Sequence, residues 1–194
     1  MKRFVRVVAL LLVILTVAVY PAMAVSARLP GIDHAVITVE DVWFDGQTTI
    51  YDNRIAQASM GMALAAYQGQ SDIEQLMTEL EFENLQSQNY GSDGNVGYTV
   101  AVKAIKDGAS ALISVVFEDT KEGRDWERAF DFANVGTGKY EDTDEHPQDV
   151  FWVKEWACAA ESVILNYVHT YVEHVTDYSV LIAGSGRGGS VANY

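Results

Sequence analysis

The chain reads as an α/β protein. Three observations carry that reading. Residues 98–117 form an apolar β-hairpin. A long helix follows Pro147. A short apolar strand over residues 178–183 then runs into a glycine-rich turn and a new helix. A turn of that kind at the carboxyl end of a strand is where α/β proteins place their chemistry.

Residues 25–50 are irregular or strand-like, with Ala35-Val36-Ile37-Thr38-Val39 in strand-type alternation. Asp52 or Asn53 caps a helix that runs to about Tyr67, with Ile55, Ala58, Met62 and Ala65 on one face. Ser71 and Asp72 open a second helix, whose stripe is Ile73, Leu76, Met77 and Leu80. Residues 90–95 are a loop by composition. Tyr98 to Ile105 is a strand, Lys106 to Ala109 the turn, with Asp107-Gly108 supplying positive φ, and Ala111 to Phe117 the returning strand. The second strand is apolar on both faces, which suits a sheet centre.

Arg124 to Phe132 is mixed and partly helical. The loop after it carries Glu141, Asp142, Asp144 and Glu145. That cluster reads as a solvated loop and not as a calcium site, because the turn glycine of a calcium loop is missing. The helix from Pro147 to about Val175 places Trp152, Trp156, Ala159, Val163, Asn166 and Tyr167 near one face. Asp177 ends it, and Tyr178 to Ala183 reads as a short buried strand.

A length of 194 residues suits one domain or a large part of one. With 49% hydrophobic and 11% aromatic residues the chain can pack a core and is not disordered. The formal net charge of −14 argues against nucleic acid, which needs a basic surface. The lone Cys158 rules out an intramolecular disulfide and a multi-cysteine zinc site, and reads as a small core hydrophobe. No cofactor and no metal site are expected.

Residues 1–24 read as a secretory signal peptide, leaving 25–194 as the domain. Lys2, Arg3 and Arg6 precede the apolar run Val7 to Tyr20, then Pro21 and Ala22-Met23-Ala24. Fourteen helical residues reach roughly 21 Å, short of a ~30 Å hydrocarbon core. Cleavage is expected after Ala24, with Ala27 as the other site. It leaves 10 basic against 27 acidic residues, a net −17. A membrane anchor retained over residues 7–25 is the alternative.

The turn after the last strand, Gly184-Ser185-Gly186-Arg187-Gly188-Gly189, has three readings. A nucleophile elbow, G-x-S-x-G, needs small residues two before and two after the nucleophile. Gly184 and Gly188 meet that need, but the residue between them is Gly186, which has no hydroxyl. A dinucleotide loop fits Gly184-x-Gly186-x-x-Gly189, but no acidic residue follows about 20 positions on. The third reading is a structural turn.

Other segments favour the first. Met62-Ala63-Leu64-Ala65-Ala66-Tyr67, Leu80-Glu81-Phe82, Ser114 to Thr120, Asp125-Trp126 with Phe130 and Asp131, His146, and Tyr178 to Gly189 come in an order that resembles the secreted class 3 (fungal-type) lipases of the α/β-hydrolase superfamily. The departures fall on functional positions. Glu118-Asp119 stands where the family has Arg-Gly, His146-Pro147-Gln148-Asp149 where it has His-x-Gly-Phe, and Ser185-Gly186 where it has His-Ser.

The resemblance implies the N-terminal part of an α/β-hydrolase sheet with flanking helices, truncated after the elbow and without the C-terminal strands. It implies hydrolysis of lipid carboxylic esters through an acyl-enzyme, contact with a lipid interface, and oxyanion donors at Thr120 and the Arg187 N–H. The catalytic order in such enzymes is serine, acid, histidine. His34, His146, His169 and His174 all precede the turn. Losing a triad serine or histidine costs on the order of a millionfold in turnover, so no hydrolysis, or very weak hydrolysis, is expected. Ser185 is the displaced candidate nucleophile, but its frame puts Arg187 at a position that must be small. The rival readings are a non-catalytic secreted protein that binds lipid or a partner, and a non-functional gene fragment. An open sheet edge would invite self-association.

Overall fold

The computed structural model describes residues 24–44, 51–91, 96–119, 151–172, 175 and 177–193. Residues 1–23, which cover nearly all of the expected signal peptide 1–24, Thr120, the 124–132 segment, the acidic loop, His146 and His174 lie outside the described residues.

Two strands open the described chain. β1 (Ala24–Arg28) and β2 (Val36–Glu40) pair antiparallel, Ala24 opposite Glu40 and Arg28 opposite Val36. A 3-10 turn over Asp41–Phe44 follows. α1 (Asn53–Gln68) starts at Asp52, whose carboxylate accepts the Arg54 N–H at 2.8 Å as an N-cap. Its face Ala58, Met62 and Ala65 is buried as the spacing predicts. Gly61 lets the helix sit against Ile37 of β2; a Cβ there would overlap the Ile37 side chain. α2 (Gln70–Glu79) buries Ile73, Leu76 and Met77.

The main sheet has four strands in the order β3-β4-β5-β6. β3 is Glu83–Gln88, β4 Tyr98–Ile105, β5 Ser110–Phe117 and β6 Asp177–Gly184. β3, β4 and β5 are antiparallel neighbours, and β6 joins β5 in parallel, Ser110 opposite Asp177 and Phe117 opposite Gly184. The β4–β5 connection is a 3-10 turn, with positive φ at Lys106 and Gly108. α3 (Phe151–Val172) lies between β5 and β6 in sequence, and α4 (Gly186–Asn193) follows β6.

Strand alternation sorts the core into two layers. Ala101, Ile105, Leu112, Val116, Leu181 and Ala183 pack with α1, α2 and the β1–β2 sheet. Tyr98, Val100, Ile113, Val115 and Phe117 pack with α3 and α4. β5 is buried along its whole length, as a central strand with both faces covered should be.

The structure corrects three expectations. β6 is not a buried strand: it is the edge of the sheet among the described residues, and Tyr178, Val180 and Ile182 are about half exposed. Cys158 is exposed on α3 and is not a core residue. Asn166 is also exposed, whereas Tyr167 is buried, its hydroxyl donating to the Asn84 carbonyl at 2.9 Å.

Candidate functional site

Backbone crowding fixes the bend between β6 and α4. A Cβ on Gly184 would lie 2.5 Å from the Gly188 carbonyl. A Cβ on Gly188 would lie 2.5 Å from the Glu118 carbonyl oxygen at the end of β5. Side chains at either position would push strand and helix apart. Gly189 is less crowded, its nearest contact being 3.2 Å. Gly186, midway, has φ +51°, in the left-handed region. The close approach is thus centred on Gly186 and not on Ser185.

The space above Gly186 is filled. A Cβ on that residue would fall on the carboxylate of Asp119. Asp119 Oδ2 accepts the Ser185 hydroxyl at 2.7 Å, and Oδ1 accepts the Arg187 N–H at 3.3 Å. A carboxylate suits this place, because the first N–H groups of a helix carry partial positive charge. The same fact disables the donor that the sequence pointed to. The Arg187 N–H faces an anion of the chain itself, and a second oxyanion beside it would be repelled.

A serine nucleophile needs a base within hydrogen-bond reach, held in turn by a third group. Among the described residues the Ser185 hydroxyl donates to Asp119 and meets no imidazole. His34 is exposed at φ +67° in the β1–β2 turn, and His169 is exposed on α3. No group of three or more His, Cys, Asp or Glu among the described residues could hold a metal ion.

Glu118 turns the other way. It is buried, its N–H donates to the Gly97 carbonyl at 2.7 Å, and its Oε2 accepts the Gly91 N–H at 3.4 Å. It pins the approach to β4 to the end of β5. Tyr90 packs there with its hydroxyl 3.0 Å from Thr99 Oγ1. Burial pushes the Tyr90 phenol up; the Thr99 hydrogen bond opposes this and the Glu118 charge adds to it.

Two apolar grooves flank β6. One, of about 680 Å³, is lined by Met60, Ala63, Leu64, Ile182 and Ala183 and reaches Ser185. The other, of about 330 Å³ on the opposite sheet face, is lined by Val115, Phe117, Leu165, Val180 and Ile182.

The turn glycines and Arg187 come together as the sequence spacing requires, and Thr120 lies outside the described residues. Asp119 was legible only as a departure from a family pattern. Its contact with Ser185 spans 66 positions, and two acids ending a buried strand were the one signal for it. No protein-family model, curated protein or solved structure matches the chain.

Proposed function

We propose that this chain is a secreted, class 3 lipase-like protein on an α/β-hydrolase scaffold whose elbow has lost ester hydrolysis. One observation carries the reading: the Asp119 carboxylate occupies the space where a side chain on Gly186 would stand, and it takes both the Ser185 hydroxyl and the Arg187 N–H. The glycine frame supports the scaffold half of the proposal, because a strand-to-helix bend this tight is what an elbow requires. Export rests on the basic start and apolar run before Ala24. Among the described residues no helix is long and apolar enough to cross a membrane.

The test is turnover of a short-chain chromogenic ester by purified protein. No rate above buffer is expected. A rate that disappears in Ser185→Ala overturns the proposal.

A second reading, a non-catalytic lipid binder, is favoured by the groove of about 680 Å³ that ends at Ser185. It predicts that a fluorescent fatty acid binds without turnover and that Met60→Glu weakens the binding.

A further inference from the structure

We propose that the mature protein begins at Val25: processing removes residues 1–24 and stops at the edge of β1, which becomes the N-terminal strand. The proposal rests on the export reading above, and its test separates the two.

The sequence offers two cuts. Ala22-Met23-Ala24 puts alanine at both positions that must be small, whereas Val25-Ser26-Ala27 puts the bulkier Val25 at the first of them. The peptidase meets an extended chain before the domain has folded, so both bonds are open to it. The folded structure separates their products.

Cutting after Ala24 takes one residue from β1. Ala24 is exposed and pairs with Glu40 at the end of the ladder. Val25, Ser26, Ala27 and Arg28 keep their places opposite Val39, Thr38, Ile37 and Val36. The Ser26 hydroxyl stays 2.8 Å from the Thr38 hydroxyl. The new α-ammonium on Val25 lies one register position from Glu40, which places an opposite charge beside it. Pairing into a sheet is one of the ways a chain terminus is tied down.

Cutting after Ala27 removes four of the five β1 residues. Ala27 is 4% exposed and packs in the core cluster that holds Val39 and Met62. β1 also packs on α2, and β2 on α1. Among the described residues β1 is the one strand paired with β2. Its loss uncovers Val39 and leaves the backbone of Ile37 to Val39 without ladder partners. One pair, Arg28 with Val36, would remain, too little for a sheet. The new ammonium would stand opposite Val36 and Ile37, with no acid in register.

The same strand bears on a retained anchor. An anchor over residues 7–25 needs Val25 in a membrane helix, whereas Val25 is extended and paired with Val39. One residue cannot hold both conformations. The run left for an anchor ends before β1, at Met23, and Pro21 interrupts it.

The test expresses the full-length chain in a secreting host and reads the N-terminus of the exported protein by intact mass and N-terminal sequencing. A chain starting at Val25 is expected. Ala24→Leu makes the residue before the first cut bulky while changing only an exposed residue of the fold. It should abolish the product that starts at Val25. Exported, folded protein should then fall several-fold or more, because the remaining cut yields a chain without β1. Circular dichroism and protease resistance report whether each product is folded. A folded, exported protein starting at Arg28, from either chain, overturns the proposal and leaves the export reading standing. A natural chain recovered with residues 1–24 still attached overturns both.

Discussion

The carboxylate of Asp119 holds the hydroxyl of Ser185 at 2.7 Å, tying the end of β5 to the start of α4. These are neighbouring elements of the sheet and its last helix, so the tie fastens the bend from outside. Hydrogen bonds to a charged group contribute roughly 1.5–3 kcal/mol when buried. Here Ser185 is exposed and Asp119 only half buried, so solvent reduces the figure. Asp119→Ala should lower stability by about 1–2 kcal/mol in urea unfolding. Ser185→Ala removes one of the two bonds and should cost about half as much. Equal stability of all three proteins would show that the tie contributes nothing.

Restoring a serine at Gly186 should not restore chemistry. Gly186→Ser puts a Cβ on the Asp119 carboxylate and an L side chain at φ +51°. Backbone strain of this kind costs on the order of 1–3 kcal/mol, and the clash adds to it. In an Asp119→Gly background the clash disappears while the strain remains. The serine should therefore cost less in that background, by about 1 kcal/mol or more. A double-mutant cycle by urea unfolding measures the difference, and simple additivity would contradict the overlap. Neither single variant should turn over a chromogenic ester, because among the described residues no imidazole reaches the turn.

The sequence made some of this legible and hid the rest for identifiable reasons. β4, β5 and α1 announced themselves through alternation, an Asp-Gly turn and an Asp52 cap, all of which act within a few residues. β3 did not, because Glu83-Asn84-Leu85-Gln86-Ser87-Gln88 has one apolar residue and, among the described residues, pairs on one side only. β6 misled in the opposite direction. Its run of apolar residues reads as covered on both faces, yet alternate residues are half exposed, since no local pattern tells a strand which neighbours it has. The glycine frame was visible because backbone crowding depends on spacing alone. The Asp119 contact was not, because nothing in either segment encodes the other.

Acid should weaken the start of α1. The Arg54 guanidinium, hydrogen-bonded to Asp52, and the Arg54 backbone N–H hold the Asp52 carboxyl down at about 2. Its ordinary value is near 4. A carboxyl depressed in the folded state contributes stability that is fully present above the unfolded value and is lost as pH falls through the folded one. The stability gap between the natural protein and Asp52→Asn should therefore be constant from neutral pH down to about 4. It should shrink between about 4 and 2. Chemical denaturation across that range checks it, and a gap that stays constant down to pH 2 would contradict the assigned cause.

Lys103 places a buried charge on the main sheet. It is only 4% exposed on β4, and its Nζ donates to the Leu80 carbonyl at 3.0 Å and to Glu81 at 3.2 Å. The two bonds are not equivalent. The Glu81 side chain is 60% exposed, so that ion pair is screened and worth little. Leu80 is fully buried just past the end of α2, where helix carbonyls lack intrahelical partners. Removing the ammonium leaves that carbonyl unsatisfied, at about 1–3 kcal/mol. Lys103→Met keeps the apolar stem and loses only the donor. It should cost about 1 kcal/mol or more, whereas Glu81→Gln should cost under about 0.5 kcal/mol. Urea unfolding of the two variants separates them, and the reverse order would make the exposed ion pair the principal contact.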